Sequence, residues 1–224
     1  MTVLDAGPVS ADQGCWATAA ALVMIERPAA GVMVIDALLT DEDQSNLVAV
    51  LEGAELSAQE LGRSSRSRTR RRGDGRSPKV PQLLWARLEP ILPPPTEWFP
   101  PDRRPRLEPD IAHWRWSGCN VFTRFYDYGL GDEFRPHFDE SWRAAPDRRS
   151  LLTVLVYLPT GERCEGGETV VEGHAIAPHP GRVAVFDHRL IHAGQPVLAG
   201  RKLVLRNDVI ASATIGRAPS AARR

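Results

Sequence analysis

The chain has 224 residues, of which 42% are hydrophobic and 25% charged, and Lys+Arg and Asp+Glu both number 28, for a formal net charge of zero. That is enough apolar material for the core of one domain, and the balanced charge argues against a dedicated nucleic-acid partner. Three scattered cysteines, Cys15, Cys119 and Cys164, with no CxxC pair, exclude a zinc finger and fit free thiols in a reducing compartment.

Residues 1–30 form an N-terminal extension rich in Ala, Gly and Pro. Its apolar stretch, Ala17 to Ile25, follows Asp5 and Asp12 and lacks a basic leader, and no segment is long enough to span a bilayer. A cytoplasmic protein without a membrane partner is expected; nothing in the sequence sets an oligomeric state. Val32 to Leu39 is an apolar run of strand length that leads into Thr40-Asp-Glu-Asp43, a threonine cap with acids in the first turn. Leu47, Val48, Leu51 and Leu56 then supply a helical stripe, which predicts a helix over 41–55.

Arg63 to Lys79 has no aliphatic or aromatic residue and a run of arginines. It reads as a solvated flexible loop, or as a mobile basic loop that folds over an anionic substrate, with Arg70 and Arg71 as the contacts. Pro81 to Leu92 predicts a second amphipathic helix, and the proline-dense Pro93 to Pro109 a surface linker. After Trp114 the texture changes to short strands: Cys119–Tyr128, Leu151–Leu158, Gly167–Val171, Arg182–Phe186 and Lys202–Ile210. Their spacing implies an antiparallel sandwich or barrel. The organisation expected is helical support over 31–113, a β core over 114–214 and a tail over 215–224.

Pro136-His137-Phe138-Asp139 carries the central chemical signal. In a strand, alternate side chains face the same way, so His137 and Asp139 project together as two metal ligands. A third ligand must come from a distant strand. His192, 53 residues after Asp139, sits in an apolar stretch ending in a turn, and His188 is its rival. His174 and His179 flank proline-containing loops and read as surface residues. Two histidines and one carboxylate on one face of a metal are characteristic of non-haem Fe(II) oxygenases. On the strand after His192, period 2 places Lys202, Val204, Arg206 and Asp208 on one face and Arg201, Leu203, Leu205 and Asn207 on the other. The charged face suits a polar cavity holding a dicarboxylate, or else solvent. Arg124, Tyr126 and Tyr128 likewise share a face, with polar tips that suit a ligand pocket.

Tyr128-Gly-Leu-Gly-Asp-Glu-Phe-Arg-Pro-His-Phe-Asp139 resembles the metal-binding strand and loop of the prolyl 4-hydroxylase-like 2-oxoglutarate/Fe(II) dioxygenases. Glu165-Gly-Gly-Glu-Thr169 resembles the family's Gly-Gly-x-Thr turn, and the stretch from His192 to Lys202 its distal histidine and co-substrate cation. The blocks stand in family order across roughly 115–210. The resemblance implies a double-stranded β-helix, or jelly-roll, core supported by helices. It implies catalytic iron ligation by His137, Asp139 and His192, and co-substrate binding by Lys202, with Arg201 as the fallback. Tyr128 matches a residue that reaches the co-substrate or substrate, and Arg206, deeper on the face of Lys202, is read as a further co-substrate contact. Arg124 and Tyr126 are candidate substrate contacts. The implied cofactors are Fe(II), 2-oxoglutarate and O2, with ascorbate as a reductant. The implied reaction is hydroxylation of an unactivated C–H bond of an amino acid, peptide or natural product, giving succinate and CO2. A zinc hydrolase or isomerase on the same barrel, or a non-catalytic metal-binding sensor, would not need Lys202.

Overall fold

A computed structural model describes residues 2–4, 22–52, 67–68, 71–99 and 113–213. Expectations for Cys15, Arg70, the end of the first helix after residue 52, the linker from residue 100 and the tail over 215–224 lie outside these residues.

The chain begins with strands β1 (Thr2–Leu4), β2 (Val23–Ala29) and β3 (Val32–Asp36), the last two a hairpin turning at Gly31, whose φ is 79°. Helix α1 (Asp41–Glu52) starts as its sequence predicts. Thr40 Oγ1 accepts from the Asp43 amide, and Asp43 Oδ2 accepts from the Thr40 amide, both at 3.0 Å, a reciprocal capping box. Asp43 also accepts from Arg87 Nη2 at 2.9 Å, which ties α1 to helix α2 (Lys79–Leu88). That helix starts two residues before Pro81, a proline tolerated in a first turn, and stops ahead of Pro90. A short helix α3 (Pro95–Trp98) interrupts the predicted linker.

The arginine-rich stretch is not a loop throughout. Ser67–Arg68 form strand β4 and Arg71–Arg76 strand β5, with Arg71 in register with Asp127 and Arg72 with Tyr126. Composition misled here because an edge strand needs only backbone partners, and charged residues suit such an edge.

Strands β6 (Trp114–Cys119) and β7 (Phe122–Tyr128) replace the single predicted strand. Asn120 breaks it: its amide donates to Asn207 Oδ1 at 3.0 Å, and Asn207 Nδ2 donates to its carbonyl at 2.8 Å. Then follow β8 (Glu133–His137), β9 (Arg143–Ala145), β10 (Arg148–Leu158), β11 (Glu165–Gly166), β12 (Thr169–Val171), β13 (His174–Ile176), β14 (Val183–Asp187), β15 (His192–Gly194), β16 (Val197–Ala199) and β17 (Lys202–Ala213).

The strands form a major sheet ordered β1-β2-β3-β14-β10-β17-β7-β5, with β6 also on β17 and β9 on β10. A minor sheet runs β13-β12-β15-β8-β4, and β11 pairs β16. All pairings among the described residues are antiparallel, and the protein is mainly β with a jelly-roll core.

The central strands of the major sheet are buried on both faces, which explains their continuous apolar runs. On β10, Leu152, Val154, Val156 and Leu158 pack towards α1 and α2, while Leu155 and Tyr157 face the minor sheet. Leu203 and Leu205 of β17 join the first core and Val204 the second. Arg182, just before β14, closes the far side by donating Nε and Nη2 to Asp36, each at 2.8 Å.

At Gly200 φ is 70° and a Cβ would lie 1.9 Å from the carbonyl oxygen of Arg163. Gly200→Ala is therefore expected to lower stability by about 3 kcal/mol or more, read from the urea midpoint at unchanged m-value.

Candidate metal centre and its pocket

β15 pairs with β8 so that His192 lies directly opposite His137. Between this pair and the next, Gly194 with Phe134, β8 has two residues, Arg135 and Pro136, against Ala193 alone. This is a bulge, a place where a proline costs no ladder bond and where a following side chain is re-aimed. Asp139 lies two residues past the end of β8 rather than within it, and its amide donates to the His188 carbonyl at 3.0 Å.

The donor atoms of His137, Asp139 and His192 all lie within 4.8 Å of one another. His137 Nε2 is 3.8 Å from Asp139 Oδ1, and His192 Nε2 is 3.4 Å from Asp139 Oδ2. A first-row metal about 2.1 Å from each donor needs them about 3 Å apart on one octahedral face, so small adjustments would close the set. The tautomers also fit. His137 Nδ1 is 2.8 Å from the Arg135 carbonyl and His192 Nδ1 is 2.9 Å from that of Leu190, so both Nδ1 atoms donate and each neutral ring turns a bare Nε2 inwards. The rings are braced by Phe134, stacked on His137 at 4.2 Å, and by Phe186, 4.7 Å from His192.

Burial pushes the His192 imidazole down to about 4, against the pull of Asp139, so it is neutral at physiological pH. Burial alone would raise the Asp139 carboxyl, but the Arg206 charge, with His192 and the Thr153 hydroxyl, brings it down to about 2. Arg206 Nη2 is 3.1 Å from Asp139 Oδ1 and 3.2 Å from Asp208 Oδ1. Arg206 therefore braces the carboxylate of the triad, an arrangement its place on the face of Lys202 does not reveal.

The triad opens into a cavity of about 360 Å³. Arg124, Tyr126 and Tyr128 of β7 line it, as do Lys202, Val204 and Arg206 of β17, as period 2 predicts. In register, Lys202 faces Tyr128 and Arg206 faces Arg124. Lys202 is 4% exposed; its Nζ donates to the Gly167 carbonyl at 2.6 Å and lies 4.9 Å from the Tyr128 ring centre. Burial pushes its ammonium down to about 8, while Cys164 and Glu168 act the other way. Arg201 is on the opposite face and binds Asp127, with Nε 2.7 Å from Oδ1. The Gly-Gly turn is a steric requirement: φ is 68° at Gly166 and 70° at Gly167, and a Cβ on Gly167 would come within 3.3 Å of the Lys202 stem.

Sequence reading missed Thr153 and Tyr157. Tyr157 is 1% exposed, and its ring centre is 5.8 Å from Lys202 Nζ. Its hydroxyl lies near Thr169 but lacks a well-formed hydrogen bond. The signal was available in β10, where Thr153, Leu155 and Tyr157 alternate inside an apolar run. His188 is buried but stands apart from the three converging donors, and burial keeps its imidazole neutral. His174 and His179 are exposed, as expected.

Residues 123–207 match the model of the 2OG-Fe(II) oxygenase superfamily. No curated protein matches the chain. Among solved structures, a prolyl-4-hydroxylase from Pseudomonas putida is similar at 18% identity, covering 80% of this chain and 91% of its own, with a TM-score of 0.51. A prolyl hydroxylase from Trichoplax adhaerens, in complex with a hypoxia inducible factor oxygen degradation domain peptide fragment, is similar at 16% identity. It covers 80% of this chain and 84% of its own, also with a TM-score of 0.51. At these identities the structural likeness is one of fold. The match over residues 123–207, which span the three converging donors and Lys202, supports reading the protein as a 2OG-Fe(II)-dependent dioxygenase.

Proposed function

We propose that the enzyme couples oxidative decarboxylation of 2-oxoglutarate, with release of succinate and CO2, to hydroxylation of an unactivated C–H bond in an amino-acid, peptide or natural-product substrate. The observation that carries this reading is the convergence of two bare imidazole Nε2 atoms and a carboxylate in the same cavity as a buried ammonium. His137, Asp139 and His192 are the proposed ligands. Bound Fe(II) supplies the redox chemistry that activates O2, with ascorbate as the proposed reductant. The activity is assigned to residues 31–214, with β2 adding a strand from within the extension. Free thiols at Cys119 and Cys164 support a reducing cytoplasm as the compartment; among the described residues no helix is long and apolar enough to cross a membrane.

The protein's own groups divide the work. The two Nδ1–H bonds hold each imidazole with its lone pair facing the metal. Arg206 keeps Asp139 ionised. Lys202 receives the distal carboxylate of 2-oxoglutarate, and the buried Tyr157 hydroxyl, which lacks a well-formed hydrogen bond, is the proposed second donor to it. Tyr128 and Phe134 wall the cavity. Arg124 and Tyr126, farther along β7, are the proposed substrate contacts; Arg71 is in register with Asp127, a residue on the strand face away from the cavity, and is not among them. The Trichoplax prolyl hydroxylase, seen with a peptide, supports a peptide among the candidate substrates.

Anaerobic addition of Fe(II) and then 2-oxoglutarate is expected to produce a visible metal-to-ligand charge-transfer band, lost in His137→Ala. No band in folded, iron-loaded protein would overturn the proposal. Lys202→Ala is expected to weaken 2-oxoglutarate binding about a hundredfold, the effect of removing one partner of a buried ion pair. Arg201→Ala, which breaks only the Asp127 pair, is expected to leave that affinity within about threefold and to lower the melting temperature.

The position of Lys202 also sets a pH dependence. Tyr128 of β7, Tyr157 of β10, and Cys164 and Glu168 of the turn before β12 face its amine. In the free enzyme the amine loses its proton as pH rises through about 8, below its ordinary value of 10.5. Only the ammonium pairs with a carboxylate, so the Kd for 2-oxoglutarate is expected to rise above that pH, by up to about tenfold per pH unit. Between the two values the unfolded chain binds more protons than the folded one, so stability of the free protein rises with pH there. Isothermal titration and urea melts between pH 7 and 10 check the two signs.

A further inference from the structure

His188 precedes His192 by four residues and is 3% exposed, yet neither of its nitrogens is among the converging donors. Both of its nitrogens are engaged: Nδ1 lies 2.8 Å from Thr153 Oγ1 and Nε2 lies 2.9 Å from Ser150 Oγ. Thr153 Oγ1 in turn is 2.5 Å from Asp139 Oδ2. The proton positions follow from what each group can do. An ionised carboxylate only accepts, so the Thr153 hydroxyl gives its one proton to Asp139. Its oxygen then has only lone pairs for His188, so His188 Nδ1 carries a hydrogen and donates. In that neutral tautomer Nε2 accepts, and it takes the Ser150 hydroxyl proton. Ser150 Oγ completes the series by accepting the Trp142 amide at 2.8 Å. All four bonds run in one direction towards Asp139, so each polarises the next.

His188 also grips Asp139 from the backbone, since its carbonyl accepts the Asp139 amide at 3.0 Å. Asp139 needs this support because it lies past the end of β8, where no ladder bond fixes its orientation. We infer that His188 is a positioning residue for the triad, fixing the plane of the Asp139 carboxylate through the Thr153 hydroxyl. The inference rests on the reading of Asp139 as a metal ligand. The short segment from His188 to His192 thus carries two histidines with different roles, since one binds the metal and the other aims a ligand.

The test compares His188→Leu, which removes the donor, with His188→Asn, whose side-chain amide can donate from the position of Nδ1. Thr153→Val, which removes the hydroxyl at nearly constant shape, and the double variant His188→Leu/Thr153→Val complete the set. Two readouts are taken on folded protein: the Kd for Fe(II) under anaerobic conditions, and the position of the charge-transfer band with 2-oxoglutarate. His188→Leu and Thr153→Val are each expected to weaken Fe(II) about tenfold or more and to shift the band. The double variant is expected to be no weaker than Thr153→Val by more than about twofold, because the effect passes through one hydroxyl. His188→Asn is expected to stay within about threefold of the wild type, which plain loss of packing would not allow. Unchanged affinity and band in Thr153→Val or His188→Leu would overturn the inference, as would additive losses in the double variant or a His188→Asn variant as weak as His188→Leu. Should His188→Leu not fold, Thr153→Val and His188→Asn decide alone. If wild-type protein binds no Fe(II), the metal reading itself falls and takes this inference with it. Binding in the wild type with indifferent variants removes only the positioning role.

Discussion

The pocket depends on one register, the antiparallel pairing that sets His192 of β15 against His137 of β8. Strand side chains alternate between faces, so a slip of one residue would turn one imidazole out of the cavity and leave two donors where three are needed. The Pro136 bulge makes the register tolerable, because it absorbs the extra residue of β8 before His137. The aromatic rings of Phe134 and Phe186 then fix the imidazoles by packing, and two backbone carbonyls fix their protons. Geometry and tautomer are thus set in the protein alone, as a metal site of useful affinity would require.

The second constraint is the two-sided burial of the major sheet. Strands β10 and β17 give alternate residues to a hydrocarbon core beneath the helices and to the cavity between the sheets. The same alternation that makes Leu203 and Leu205 a floor places Lys202, Val204 and Arg206 in the cavity. A buried ammonium is costly unless its charge is answered. Here the Gly167 carbonyl and the faces of Tyr128 and Tyr157 answer it in part, and a dicarboxylate would complete the account. The glycines of the Gly-Gly turn are needed because a Cβ there would meet the lysine stem or the Pro196 carbonyl.

The acids and bases around Asp139 form one connected system. Arg206 bridges Asp139 and Asp208, and Asp208 also accepts from Asn120 Nδ2 at 3.1 Å. The break between β6 and β7 at Asn120 is therefore tied to the charge balance of the triad through β17. Thr153 and His188 hold the other side of the carboxylate. Apart from Asn120, the groups around Asp139 come from the adjacent strands β10 and β17 or from the turn before β15, which is why so many polar atoms can be buried with partners.

Much of this was readable from residue order. The His-x-Asp spacing, the alternation on β17 and the Thr40 cap are local patterns that side-chain chemistry and periodicity carry without a structure, although Asp139 lies past the end of β8 and not in the strand that period 2 expects. The choice between His188 and His192 was not local, since both lie in one short segment and only the packing against Thr153 and Ser150 separates them. Arg201 likewise stayed a fallback to Lys202 until β7 supplied Asp127 to one and a cavity to the other. The arginine-rich stretch looked like a loop because composition measures what side chains can bury, whereas β5 exists through backbone bonds to β7. Sequence by itself determined the candidate donors and the alternating faces, because these follow from residue types and spacing along one chain. Tertiary structure decided which donor turns inwards and which cation is enclosed, because those depend on what the neighbouring strand presents.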